Sequence, residues 1–273
     1  DHVEGPLAKH DGAWRPLVYC WRGGQRSGSF TIILQQIGWR ADTVEGGYMT
    51  WRRLVKTALY DTPVPHKIVL LDGNTGTAKT AILKRLSQRG IQVIDLEGLA
   101  GHRGSLLGAT AGGQPSQKQF ETNLATLLAN LDPNRPVVVE AESSKIGHIN
   151  LPPQLWNAMV NAPTIMISAP ILARATFLEQ AYADVISNPA DLEKRLKPLR
   201  NIRGHEVVDG WIDLLKAGKF HDLAAALMEQ HYDAAYVKSR GADTHEVLAD
   251  LTADCLDDSG QNALTEAIIA VLK

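Results

Sequence analysis

Gly73-Asn74-Thr75-Gly76-Thr77-Ala78-Lys79-Thr80 carries the main architectural signal of this 273-residue chain. The run follows an apolar strand, Ile68-Val69-Leu70-Leu71, and opens an amphipathic stretch from Ala81 to Arg89. A strand, a Gly-rich turn and a helix in that order form the setting of a phosphate-binding loop. Backbone N–H groups at the helix N-terminus face an anion, Lys79 reaches the outer phosphate, and the Thr80 hydroxyl is available to Mg²⁺. One residue departs from the usual pattern: Ala78 stands where the second glycine is expected. Its methyl group either crowds the approach of phosphate to the backbone or strains a positive φ. The plainer alternative is a strand-to-helix turn that binds nothing.

Outward from this loop, strands and helices alternate. Ile68–Leu71, Ile91–Ile94, Val137–Val139 and Thr164–Ile167 are short β-rich runs bounded by Gly, Pro or acidic residues, as buried parallel strands are. Phe120, Leu124, Leu127, Leu128 and Leu131 recur at helical spacing, and 171–186 also reads as a helix. The pattern predicts a three-layer α/β domain. From about Leu192 the expectation is helices only, over 207–216, 223–232, 245–256 and 263–272, as a helical C-terminal appendage. Before His66 lies a separate βαβα segment, joined by the stiff linker Thr62-Pro63-Val64-Pro65.

Composition narrows the function classes. With 44% hydrophobic residues the chain can bury a substantial core, and a formal charge of −2 requires any nucleic-acid contact to come from local basic patches. Two cysteines, Cys20 and Cys255, without ligand spacing, argue against a disulfide framework or structural zinc. No charged leader and no apolar run long enough to span a bilayer is evident, so a cytoplasmic protein is the expectation. The chain begins at Asp1, as though inside a domain.

Cys20-Trp21-Arg22-Gly23-Gly24-Gln25-Arg26-Ser27 places a cysteine directly after the strand Leu17-Val18-Tyr19, in a Gly-rich loop before a helix. Backbone N–H groups, the helix dipole and the charges of Arg22 and Arg26 all favour a thiolate, which makes Cys20 a candidate nucleophile. The alternative is a small buried apolar cysteine. Cys255 reads as an ordinary residue of an amphipathic helix.

The cysteine loop, with Arg22, Gly23, Gly24, Arg26 and Ser27, resembles the active-site loop of rhodanese domains, and Glu45-Gly46-Gly47-Tyr48-Met49-Thr50-Trp51 resembles the end of the same domain. The domain's first half is not found, so residues 1–61 are expected to be a partial rhodanese-like domain and 66–273 a P-loop α/β domain. A rhodanese loop followed by a phosphate loop is an uncommon pairing. Together with Asp95-Leu96-Glu97-Gly98-Leu99-Ala100, His102-Arg103-Gly104-Ser105, Gln114-Pro115-Ser116-Gln117, Glu140-Ala141-Glu142-Ser143, Lys145-Ile146-Gly147 and Tyr232-Asp233 near Tyr236, it makes the chain resemble the tRNA 2-selenouridine synthases. That resemblance implies replacement of the 2-sulfur of wobble 2-thiouridine in tRNA by selenium. Selenophosphate would be the donor, and geranyl diphosphate would first alkylate the sulfur.

The supporting residues keep two readings each. Asp95 or Glu97 contacts Mg²⁺, substrate or tRNA, or else caps the turn that follows. Glu140 or Glu142 orients Mg²⁺ through water, or else partners Lys145 or Arg103. Lys194, Arg195, Lys197, Arg200 and Arg203, with His205 nearby, form a candidate tRNA backbone site or a solvated helix face. Arg174 faces the phosphates or solvent, and Trp21 is core or a stacking platform for a base or prenyl chain. Two rival functions remain: a small-molecule kinase or NTPase indifferent to Cys20, and a non-catalytic tRNA-binding module.

Overall fold

A computed structural model of the chain describes residues 4–22, 24–105, 107–108, 110, 112–240 and 245–273, with 237–240 described by backbone alone. Gly23, singled out in the cysteine loop, lies outside the described residues. The chain divides into two compact units, Asp1–Thr62 and Pro63–Lys273.

In the first unit, β1 (Leu17–Val18) and β2 (Asp42–Thr43) pair in parallel, and α1 (Gln25–Gln36) and α2 (Gly47–Lys56) follow them in turn. Leu34, Trp39 and Ala41 form a small buried centre, with Trp14 meeting Trp39 edge-on at 5.1 Å between ring centroids. Gly47 has a specific reason to be glycine: a Cβ there would stand 2.5 Å from the Cys20 carbonyl oxygen. The next amide, Tyr48 N–H, donates to that same oxygen at 3.1 Å. The turn at 46–48 thereby fixes the backbone of the cysteine.

The second unit runs β3 (Lys67–Asp72), α3 (Lys79–Gln88), β4 (Gln92–Ile94), α4 (Leu96–Ala100), α5 (Gln117–Ala129) and β5 (Pro136–Glu140). A hairpin of β6 (Lys145–Ile146) and β7 (Ile149–Asn150), then α6 (Pro153–Val160), leads to β8 (Thr164–Ser168). The helices α7 (Ile171–Ala181), α8 (Ala183–Ile186), α9 (Pro189–Leu196), α10 (Arg200–Arg203), α11 (His205–Lys216), α12 (Phe220–Leu227) and α13 (Asp233–Arg240) precede β9 (Val247–Thr252) and α14 (Asp258–Val271). The sheet is fully parallel in the order β4-β5-β3-β8-β9. Central strands β3 and β5 are buried almost throughout, which explains their unbroken Val/Ile/Leu runs. Leu71, Ile82, Leu86, Val138, Ile165 and Ile268 share one core, and a second core of Leu192, Leu196, Trp211, Ile212 and Leu223 belongs to the helical stretch. Successive connections leave β3 for β4, return to β5 and then cross to β8. The crevice at the carboxyl end of β3 is therefore the switch point at which α/β sheets bind ligands.

One expectation fails here. Residues 245–256 are not a helix: Val247–Thr252 is the fifth strand, paired with β8. Ala249 and Leu251 pack on the sheet core while Leu248 is exposed, an alternation of period two that an edge strand requires. The helices from 189 to 240 thus form an insertion between the fourth and fifth strands rather than an appendage. Cys255 correspondingly sits in the exposed loop between β9 and α14, not in a helix. Among the described residues no helix is long and apolar enough to cross a membrane.

Candidate functional site

The loop from Gly73 to Thr80 joins the carboxyl end of β3 to the start of α3. Gly73 tolerates no side chain, since a Cβ would lie 2.6 Å from the Ile167 carbonyl oxygen of adjacent β8. Ala78 adopts φ 63°, and among the described residues no other non-glycine has a positive φ. The strain expected from sequence is therefore present, at about 1 kcal/mol. Ala78 is only 4% exposed and packs with the apolar core beneath the loop while also bordering the cleft.

Lys79 Nζ donates to the Gly73 carbonyl at 2.7 Å, so its ammonium spans the mouth of the loop. Thr77 closes the turn by donating to the Asn74 carbonyl at 2.8 Å, and the Thr80 hydroxyl donates to Glu97 Oε2 at 3.1 Å. Arg174, buried on α7, braces the loop from outside. Its Nη1 donates to the Thr75 carbonyl at 3.1 Å, and both its Nη atoms are held by the Asp233 carboxylate, at 3.0 and 2.7 Å. Of its two readings, Arg174 takes neither solvent nor a free phosphate-facing pose; it supports the loop backbone.

The loop opens on a cleft of about 2910 Å³, counted with its mouth. Lys79, Lys84 and Arg103 line it, and so do Asp72, Asp95, Glu97 and Glu142. Acids thus outnumber Lys and Arg around a site shaped for an anion. Glu97 and Glu142 converge: a Cβ on Gly104 would lie 2.6 Å from Glu97 Oε1 and 3.0 Å from Glu142 Oε2. Burial, then the charge of Glu97, pushes Glu142 up to about 7, and burial likewise raises Glu97 against the opposing pull of Lys79. Paired carboxylates with raised pKa beside a loop threonine fit a divalent cation shared with phosphate oxygens, as Mg²⁺ is usually bound. Among the described residues no three His, Cys, Asp or Glu side chains could hold a metal by themselves.

Of the four acids weighed from sequence as Mg²⁺ contacts, Glu140 and Asp95 have structural partners of their own. Glu140 is fully buried and does not line the cleft, and its Oε1 accepts the Glu97 backbone N–H at 2.5 Å. Burial, then the neighbouring Glu97, raises its pKa well above its ordinary value, and its contact with the Glu97 backbone makes it a strut beneath the cleft. Asp95 lines the cleft, but its Oδ1 accepts from Gly98 N–H at 2.7 Å as the cap of α4. Glu97 and Glu142, two residues further along in each case, are the acids that face Thr80 and Lys79.

Asp72 was not singled out from sequence. It accepts hydrogen bonds from Gly73 N–H and from the Tyr236 hydroxyl of α13, tying the helical insertion to the root of the loop. An acid closing an otherwise apolar strand was the available signal. Gln114 and Gly147 serve one another: Gln114 donates to the Ala100 and Ile146 carbonyls, and a Cβ on Gly147 would collide with it at 2.0 Å. Arg103 reaches Asp184 at 2.9 and 3.0 Å and lies 4.7 Å from the centre of the Tyr182 ring.

The basic stretch is largely engaged. Arg195 pairs with Asp191, Lys197 with Glu193 and Arg200 with Asp209, while Arg203 donates to His231. Lys194 is exposed.

In the first unit, the Cys20 thiol donates to the Arg22 carbonyl at 3.0 Å and accepts from the Ser27 hydroxyl at 3.5 Å. Its pKa is lowered to about 6, first by the Ser27 hydroxyl and then by the Ser27 backbone, with smaller help from the backbone at Arg22 and Gly24. The lowering comes from hydrogen bonding and not from the guanidinium charges of Arg22 and Arg26. Trp21 is exposed and stacks on Tyr48 at 4.2 Å, so it is not core.

The family described as "tRNA 2-selenouridine synthase AAA domain" matches residues 66–203. A tRNA 2-selenouridine synthase from Aeromonas salmonicida is 36% identical over 67% of this chain and 48% of its own length. One from Shewanella frigidimarina is 28% identical over 85% of this chain and 69% of its own, and one from Pseudomonas syringae pv. syringae is 38% identical over 60% and 43%. The chain spans about half the length of most of these curated relatives. Among solved structures, a gluconokinase from Sinorhizobium meliloti 1021 aligns over 77% of this chain and 98% of its own at 11% identity, with a TM-score of 0.28, too loose a likeness to carry argument. On the matched domain, which covers half of its residues, this chain belongs to the tRNA 2-selenouridine synthase family.

Proposed function

We propose that this chain carries two working parts of an enzyme that replaces the 2-sulfur of wobble 2-thiouridine in tRNA by selenium. Selenophosphate supplies the selenium and geranyl diphosphate the alkyl group. The observation that carries the reading is the phosphate loop, with Lys79, Thr80 and Glu97 at the head of an open cleft. A thiocarbonyl sulfur leaves poorly. Once its lone pair attacks the allylic carbon and the C–O bond breaks, the departing diphosphate takes the electron pair, and Lys79 with the loop amides stabilises that charge. Bound Mg²⁺, held by Thr80, Glu97 and Glu142, would supply further neutralisation of the leaving group. The selenium of selenophosphate then adds at C2, the alkylthiolate departs with the C–S electron pair, and water cleaves the Se–P bond to release phosphate and leave selenium on C2. Cys20, already largely thiolate at neutral pH, serves the delivery of selenium in the rhodanese-like part of the protein.

For tRNA, Lys194 and Lys197 are the charges most easily turned to phosphates. Lys194 is exposed, and Lys197 would give up only a surface pair within its own turn of chain. Protein incubated with 2-thiouridine tRNA, Mg²⁺ and geranyl diphosphate, with and without selenophosphate, is assayed by nucleoside mass spectrometry. Geranylation lost in Lys79→Ala and selenation lost in Cys20→Ala are the expected results. Nucleotide hydrolysis with no modified nucleoside would replace this reading by that of a kinase or NTPase.

A further inference from the structure

A second cavity, about 570 Å³ with its opening included, lies among the inserted helices. Leu178, Val185, Ile186, Leu192, Leu223 and Leu227 give it an almost wholly apolar wall. It shares Thr75, Ser105, Leu178, Tyr182 and Tyr232 with the phosphate-loop cleft, so the two spaces meet beside the loop residue Thr75. At their junction stand the Ser105 hydroxyl, 3.5 Å from the Tyr182 hydroxyl, and the half-buried phenols of Tyr182 and Tyr232, whose pKa values burial raises, that of Tyr232 to about 12. The apolar lining of such a hollow forgoes dispersion contacts that a hydrocarbon guest would restore.

From this continuity we infer that the cavity holds the hydrocarbon part of an amphiphilic diphosphate whose head group sits on the phosphate loop. The inference rests on the proposed alkylation and deepens it, by assigning the residues that receive the chain and limit its length. The carboxylates of the cleft cannot accept a hydrocarbon, and the apolar cavity cannot accept a diphosphate. Only a ligand with both parts uses the two spaces together. Ala224, the small residue of α12 in the cavity wall, sets how much chain can enter.

Calorimetry of the full chain with Mg²⁺ tests this, with inorganic diphosphate and dimethylallyl, geranyl and farnesyl diphosphates as ligands. Geranyl diphosphate should bind about 10- to 100-fold more tightly than inorganic diphosphate, through burial of its chain. Ala224→Phe should abolish that gain while leaving inorganic diphosphate binding as it was, Ala224→Leu should halve it on a logarithmic scale, and Leu223→Ala should move the gain toward farnesyl diphosphate. If Ala224→Phe does not fold, Ala224→Leu reads the same quantity. A flat series in the unmodified protein, or equal loss of every ligand in the Ala224 variants, overturns the cavity assignment while the phosphate loop stands. Absent binding of inorganic diphosphate, or binding indifferent to Lys79→Ala, overturns the underlying reading instead.

Discussion

Replacing Ser27 by Ala should slow the chemistry of Cys20 in acid and leave it unchanged in alkali. The Ser27 hydroxyl is the leading cause of a thiol pKa of about 6, against an ordinary value of 9.0. At neutral pH this makes the sulfur roughly nine-tenths thiolate, where an unperturbed thiol would be a few per cent ionised at most. Ser27→Ala removes the hydroxyl but keeps the Ser27 backbone and the backbone at Arg22 and Gly24, so only part of the lowering is lost. About one pKa unit is the expected rise, which at pH 5 means about tenfold less thiolate. Iodoacetamide alkylation followed from pH 4.5 to 9 reads this directly. Cys255→Ser provides the background, because Cys255 is exposed and its own pKa is raised by Asp257. Ser27 is 2% exposed and the change is small, so the fold should be kept. A midpoint unaltered by Ser27→Ala, or moved further by Arg22→Gln than by Ser27→Ala, would refute hydrogen bonding as the cause and restore guanidinium charge in its place.

Arg174→Ala should destabilise the second unit by about 3 kcal/mol, because it leaves the Asp233 carboxylate unpaired in a largely buried setting; a thermal melt should fall by roughly 10 °C. Ala78→Gly should change stability by less than about 1 kcal/mol, since relief of the positive φ is offset by the loss of a buried methyl and a more flexible unfolded chain. Ala78→Val, β-branched at the same φ, should lower the urea midpoint clearly. The pH dependence of stability follows from Glu142, whose folded pKa of about 7 exceeds its unfolded value of 4.5. The folded state holds the extra proton, so the contribution is complete below pH 4.5 and is lost as pH rises through 7. Melts without Mg²⁺ should therefore fall across that window, and Glu142→Gln should flatten the slope without abolishing it, because Glu97 and Glu140 act in the same direction.

Much of the second unit could be read from residues alone, because buried parallel strands are locally apolar and the phosphate loop is a contiguous motif. The strands at 68–71, 137–139 and 164–167 are found within a residue or two of their expected places. The failure at 247–252 has a local cause: Val247, Leu248 and Leu251 suit a helical stripe as well as a strand, and only pairing with Thr164–Ser168 decides between them. The acids of the cleft show the same limit. Asp95 and Glu97, like Glu140 and Glu142, differ by two residues, and which of each pair faces the loop depends on where α4 is capped and where β5 ends. For Cys20, the loop signal was local and the low pKa agrees with it, but the choice of Ser27 over the arginines required side-chain positions that composition does not contain.

That the final strand is supplied only after the helical insertion bears on how the protein is made. On the ribosome, the phosphate loop and its strand emerge long before Val247–Thr252, which must cover the outer edge of β8. Until residues 247–271 are out, β8 is left as an open edge, and α14, which packs with α3, is missing from the core. The nascent chain therefore carries an exposed strand template from the completion of β8 until Val247–Thr252 has been made, the condition under which chaperone contact or aggregation is decided. Loss of Val247–Thr252 removes a core strand's partner rather than an ornament.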